Sequence, residues 1–146
     1  MDDDLRWLIA LLSDTGMRLG EAVGLLNSDI ILDTDTPHLN LTPHPWRRLK
    51  TSGSERKIPL VGASLWSARR IKQSNPINQF AFPRYCNEQS HNSNSASAAL
   101  NQWLRFHTLK GCVVHSFRHS TRDRLRAVGC PKEIIDHLGY FFVVEN

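Results

Sequence analysis

No apolar run in the sequence approaches the ~18 residues needed to cross a bilayer. The longest, Trp7–Leu12, has six. The start, Met-Asp-Asp-Asp, is acidic where a secretory leader would be basic, so no signal peptide is expected. Cysteine is scarce. Cys86, Cys112 and Cys130 make an odd, irregularly spaced set. That excludes a disulfide framework and suits a reducing, cytoplasmic compartment. Tyrosine is scarcer still, with only Tyr85 and Tyr140. There is no internal repeat, and nothing of low complexity apart from an Asn/Ser-rich stretch at 75–94.

What is present describes a folded domain. The 146 residues are 40% hydrophobic and 22% charged, ordinary values for one globular unit. The net charge of +4 hides an asymmetry. Residues 1–40 hold eight acids against two bases, Arg6 and Arg18. Residues 41–146 hold 16 bases against six acids. A basic remainder of this kind points to a polyanionic partner, with nucleic acid first.

Periodicity predicts a mainly helical α+β fold. Leu5, Leu8, Ile9 and Leu12 make one stripe of a helix over 3–14, stopped by Gly16. Arg18–Leu26 reads as a second helix. Asp29–Leu32, His38–Leu41 and Trp46–Lys50 are strand-like, Thr51–Ser54 is turn chemistry, and Lys57–Leu60 would pair back. A small antiparallel sheet of three strands is therefore expected. Further helices are expected over 63–73, over 95–109 with Ala99, Trp103 and Phe106 on a face, over His115–Val128, and over Lys132–Leu138. Residues 75–94 read as a long surface loop.

Three separated segments carry the functional signal. They are Thr15-Gly16-Met17-Arg18-Leu19-Gly20-Glu21 running on to Leu25, Lys50-Thr51-Ser52-Gly53-Ser54-Glu55-Arg56-Lys57-Ile58-Pro59-Leu60, and His115-Ser116-Phe117-Arg118-His119 followed by Leu138-Gly139. In this order they resemble the catalytic domain of tyrosine recombinases, the phage integrase family, from about Leu5 to Gly139. The resemblance implies site-specific DNA recombination. A tyrosine attacks the scissile phosphate, leaving a 3′-phosphotyrosyl link and a free 5′ hydroxyl, and a second hydroxyl reverses the step. The covalent link conserves the bond energy, so no cofactor, ATP or metal is implied. The implied partners are double-stranded DNA and, on DNA, further copies of the complete enzyme, with no membrane and no small-molecule substrate. A bacterial or phage-derived, nucleoid-associated protein of a prophage or mobile element is the expected setting.

The chemistry suits the residue types. Phosphoryl exchange places excess charge on non-bridging oxygens, and an arginine fork binds two of them while staying charged. Two arginines on different helices can clamp a phosphate without a metal; Arg18 and Arg118 are the candidates. The resemblance makes Glu21 the carboxylate that orients arginine, Lys50 the proton donor to the leaving 5′ oxygen, and His115 the histidine beside the phosphate. Lys57 is the rival lysine. His119 is expected to pack or brace the site. Arg47, Arg48, Arg56, Lys57 and Arg122 are expected to contact DNA.

The pattern departs from the family at its end. Tyr140 stands where His or Trp usually follows Leu-Gly, and could hydrogen-bond a phosphate oxygen there. The family's nucleophilic tyrosine is expected past Asn146, so none of the chain's tyrosines is in register for it. The chain is thus expected to be a single catalytic domain, 1–146, lacking its C-terminal end and the N-terminal core-binding domain, binding DNA without cutting it. The apolar tail Tyr140–Val144 is expected to pack on its own domain or on a neighbour. Two other readings compete. Thr121–Gly139, with Arg122, Arg124 and Arg126, has the rhythm of a non-catalytic helix-turn-helix DNA-binding module. His115 and His119 have the i, i+4 spacing of a metal pair, but no acid follows His115 and Cys112 and Cys130 lack the spacing of a zinc module, so no metal is expected.

Overall fold

A computed structural model describes residues 3–47, 55–74 and 77–139. Helix α1, Asp4–Thr15, is capped at its start by Asp3, whose carboxylate accepts from the Arg6 N–H at 3.1 Å. It is closed by Gly16 at φ 68°, a left-handed conformation that glycine adopts without strain. Its buried side chains are Trp7, Leu8, Leu11, Leu12 and Thr15, while Leu5 and Ile9 are only half-buried. The buried face is wider than the stripe read from sequence because α1 is packed by several neighbours. These include α3 (Gly62–Ser74), α5 (Ser116–Ala127), α4 (Ser93–His107) and the short α2 (Leu19–Val23). Ser67 of α3 donates to the Trp7 carbonyl at 2.6 Å, and Asp14 accepts from the Ala63 N–H at 2.8 Å, fixing the start of α3 against the end of α1.

The sheet is three antiparallel strands in the order β1 (Ile30–Ile31), β2 (His38–Leu41), β3 (Arg56–Pro59). Ile30 opposes Leu39, Leu39 opposes Ile58, and Leu41 opposes Arg56. Strict alternation sends Leu39, Leu41, Ile58 and Arg56 inward, and Lys57 and Pro59 outward. The strand expected at Trp46–Lys50 is not formed by its described part. His44–Arg47 instead close a tight turn through reciprocal backbone hydrogen bonds of 3.0 Å. The returning strand therefore pairs with His38–Leu41.

Two other expectations change. Residues 77–92 are not a surface loop throughout, since Phe80, Ala81, Phe82, Tyr85 and Cys86 are buried. The Ala81 N–H donates to the Leu25 carbonyl at 3.0 Å, so this segment runs beside the end of α2. Helix α4 buries Ala96, Leu100 and Leu104, and leaves Phe106 79% exposed. Helix α6, Lys132–Gly139, follows α5 and packs on it and on β3. No described helix is long and apolar enough to cross a membrane.

Candidate active site

The site begins where α1 stops. The left-handed turn at Gly16 sends the chain into Arg18, whose extended backbone caps α2. Glu21, in the first turn of α2, reaches back and accepts from the Arg18 N–H at 2.8 Å. The residue is only 5% exposed. A buried carboxylate must be compensated, and here the compensation comes from β3. Arg56 donates from Nη1 to Oε2 and from Nη2 to Oε1, both at 3.0 Å, as a two-pronged pair. Glu21 Oε2 also lies 4.0 Å from Arg18 Nη1. The third Arg56 donor, Nε, reaches the Leu138 carbonyl at 2.8 Å.

Arg118 enters from α5. It is 6% exposed, and its Nη1 donates to the carbonyls of Gly16 at 2.8 Å and Gly139 at 2.9 Å. It thus joins the turn before Arg18 to the end of α6. Two arginines satisfy the last carbonyls of that helix, where the negative end of its dipole also favours cations. Burial, together with the positive charge of Arg18, lowers the Arg118 pKa to about 10, opposed by Glu21. Arg118 therefore stays charged at neutral pH, beside Arg18 and Arg56, the two arginines at the Glu21 carboxylate. Such a cluster has an excess of positive charge suited to an anion.

His115 stands at the start of α5, one turn ahead of Arg118. The loop before it is pinned by Asn101 of α4, which accepts from the Val114 N–H at 2.9 Å. His115 is exposed, and its ring meets that of His119 edge-on at 5.2 Å. Partial burial first, then the charge of Arg118, the neighbouring His119 and Arg18, push its pKa below the ordinary histidine value. His119 Nδ1 is 3.0 Å from Arg122 Nη2. Guanidinium can only donate, so Nδ1 is the acceptor in this contact. His119 thus touches the His115 ring on one side and Arg122 on the other.

Arg18, Glu21, His115 and Arg118 are therefore brought to one place, with His119 and Arg122 beside them. Two of the expected DNA contacts need correction. Arg47 is 1% exposed and donates from Nη1 to the Glu21 carbonyl at 2.7 Å and from Nη2 to the Thr42 carbonyl. Burial lowers its pKa, opposed by Asp29 and Glu21. Arg56 is interior for the reasons given above. Both arginines are spent on carbonyls and a carboxylate of their own chain, because the loop end and β3 turn them inward. Lys57 is exposed, on the sheet face opposite Arg56. Lys50, Arg48 and Tyr140 lie outside the described residues. The inward turn of Arg56 had a signal in the sequence: the alternation Arg56, Ile58, Leu60 puts the arginine on the apolar face. The roles of the Gly16, Leu138 and Gly139 carbonyls had none.

The model of the phage integrase family matches residues 2–140. This chain belongs to the phage integrase family. Among solved structures it is similar to the Tn1549 transposon integrase (residues 82–397) in complex with circular intermediate DNA, at 19% identity and a TM-score of 0.65. That match covers 94% of this chain and 50% of that one. It is similar to XerA recombinase at 16% identity and a TM-score of 0.69, covering 92% and 47%. It is similar to XerH site-specific recombinase bound to difH substrate in a pre-cleavage complex at 18% identity and a TM-score of 0.67, covering 95% and 40%. At these identities the likeness is one of fold, and the phage integrase chain described here spans half or less of each of those chains. No curated protein is a significant match. The mainly helical fold with a three-stranded antiparallel sheet is the one that periodicity led us to expect.

Proposed function

We propose that this chain is the DNA-binding catalytic domain of a site-specific recombinase that breaks and rejoins DNA through a 3′-phosphotyrosyl intermediate. One observation carries the reading: Arg118 of α5 hydrogen-bonds the Gly16 carbonyl, two residues before Arg18, and lies close enough to Arg18 for its charge to be felt. Two guanidinium groups from different helices are then available to one phosphate. His115, neutral near pH 7, donates a hydrogen bond to a non-bridging oxygen. Lys50 gives its proton to the leaving 5′ oxygen as the tyrosine oxygen bonds to phosphorus. Tyr140 contacts the same phosphate. Lys57, Arg48 and Arg122 hold neighbouring phosphates. The complete enzyme acts as several copies on DNA.

The helix-turn-helix reading is less well supported. A groove reader built on 121–139 has no use for a buried arginine joining α5 to the turn after α1. Within the 146 residues, Tyr85 is 7% exposed and belongs to the core. With Tyr85 in the core and Tyr140 assigned to the phosphate, these 146 residues are expected to bind duplex DNA without forming a covalent link. The test is a nicked suicide substrate, with denaturing gels to detect an adduct. Binding without adduct is expected. An adduct abolished by Tyr140→Phe would overturn the assignment of Tyr140 as a phosphate contact and make it the nucleophile. Absence of duplex binding at low salt would overturn the reading as a whole.

A further inference from the structure

The motifs place Arg18, Glu21, His115 and Arg118 in the site, whereas Arg56, read from the sequence as a DNA contact, is buried among them. Arg56 stands on the core-facing side of β3 with a side chain 1% exposed. It takes both oxygens of Glu21 at 3.0 Å and the Leu138 carbonyl at 2.8 Å. Glu21 in turn accepts from the Arg18 N–H and lies 4.0 Å from the Arg18 guanidinium. The Leu138 carbonyl is adjacent to that of Gly139, which Arg118 holds. One side chain therefore links α2, β3 and the end of α6.

We infer that Arg56 is a positioning residue that occupies the Glu21 carboxylate and so keeps the Arg18 guanidinium directed to a DNA phosphate, while fixing the end of α6 beside it. The inference rests on the recombinase reading above for the identity of the phosphate. The physical reason is competition for one anion. Glu21 has two oxygens and two guanidinium neighbours. The planar fork of Arg56 fits both oxygens, leaving Arg18 at salt-bridge distance and not in a two-pronged bond. Without Arg56, the buried carboxylate would need another partner, and Arg18 is the cation beside it. Arg18 would then be drawn inward and its charge cancelled. A lysine at 56 supplies charge without a fork and should replace it only in part.

The test uses the whole chain with three variants, Arg56→Met, Arg56→Lys and Arg56→Met/Glu21→Gln. Three readouts are used: the Arg18 Nε–H resonance by NMR, affinity for a short duplex by fluorescence anisotropy, and the urea denaturation midpoint. Arg56→Met should shift the Arg18 resonance in the absence of DNA and weaken duplex binding about tenfold, the equivalent of one charge-assisted contact. Arg56→Lys should fall between it and the wild type. The double variant, which removes the carboxylate's charge, should return the Arg18 resonance and most of the affinity. A merely structural role would lower the denaturation midpoint without moving Arg18, and a direct DNA contact would leave the double variant as weak as Arg56→Met. Either result overturns the inference. If the wild type binds no duplex, the recombinase reading fails, and the Arg18 resonance alone decides the positioning role. An unmoved resonance in both Arg56→Met and Arg56→Lys overturns it.

Discussion

Arg118 donates through Nη1 to the carbonyl oxygen of Gly16 at 2.8 Å, across 102 residues of chain. The same nitrogen reaches Gly139 at 2.9 Å. Arg118, which we propose as a phosphate ligand, therefore also ties the start of the site to the end of α6. Arg18, by contrast, has a side chain 26% exposed.

The two arginines should separate in experiment. Arg118→Met breaks two charge-assisted bonds and should destabilise the chain by about 3 kcal/mol. Arg18→Ala should cost no more than about 1 kcal/mol. Urea titrations of both variants measure this directly. Loss of strand exchange in a complete enzyme carrying Arg18→Ala would then be read as chemistry, whereas the same loss in Arg118→Met would mix chemistry with folding. A denaturation midpoint for Arg118→Met equal to the wild type would show that the link from α5 to the Gly16 turn is not formed.

His115 makes the site sensitive to pH. Its pKa in the folded chain lies below the ordinary histidine value, because partial burial and the charge of Arg118 disfavour imidazolium. Between the two pKa values the unfolded chain binds more protons, so stability should rise with pH there. The penalty is fully present below the folded pKa and gone above about 6.5, the unfolded value. His115→Gln should flatten that part of the stability profile. An NMR titration should place the His115 midpoint below about 6.5, and a bound duplex should raise it, since a phosphate favours the charged ring. A free-state midpoint above the ordinary value would contradict the arrangement.

Much of this was legible in the sequence, for identifiable reasons. Helix ends were readable where glycine and caps mark them, as at Asp3 and Gly16. Arg18, Glu21, His115 and Arg118 were readable because short helical spacing keeps each group together, and motif order joined the groups. What was not legible depended on packing. Composition put 75–94 on the surface because Asn and Ser are plentiful there, yet Phe80 and Phe82 are core residues. Phe106 looked like a core position because it follows Trp103 by three, but the face built on Leu100 and Leu104 is the one that meets the domain. Arg47 and Arg56 looked like DNA contacts because basic residues near a hairpin usually face solvent. The burial of Arg47 is decided by the Glu21 and Thr42 carbonyls, and although alternation put Arg56 on the apolar face, its partners, Glu21 and the Leu138 carbonyl, are far away in sequence.

That difference in burial should be visible in the salt dependence of DNA binding. Each phosphate contact releases counterions, so losing one lowers the slope of log affinity against log salt by about 0.9. Lys57→Gln and Arg122→Gln, if they remove phosphate contacts, should each lower the slope by about that amount. Arg47→Met should leave the slope unchanged while lowering stability by about 2–3 kcal/mol, because it strips partners from the Glu21 and Thr42 carbonyls. A slope that falls in Arg47→Met would restore Arg47 to the DNA surface.

Gly24 is tied to the same interior arginine. A Cβ built on Gly24 would fall 2.5 Å from Arg47 Cδ and 3.0 Å from its Cβ and Cγ. Arg47 cannot swing aside cheaply, since both ends of its guanidinium are held by carbonyls. The Trp46 indole adds to the constraint by donating to the Gly24 carbonyl at 3.0 Å. Gly24→Ala should therefore destabilise by about 1–3 kcal/mol through overpacking, although its backbone angles suit alanine. Removing the arginine's long side chain opens that space. Gly24→Ala combined with Arg47→Ala should then cost less than the two single losses added together, a coupling that a urea-denaturation double-mutant cycle resolves. Strict additivity would mean that the two residues do not compete for one volume, and the cost of Gly24→Ala would have to lie in α2 itself.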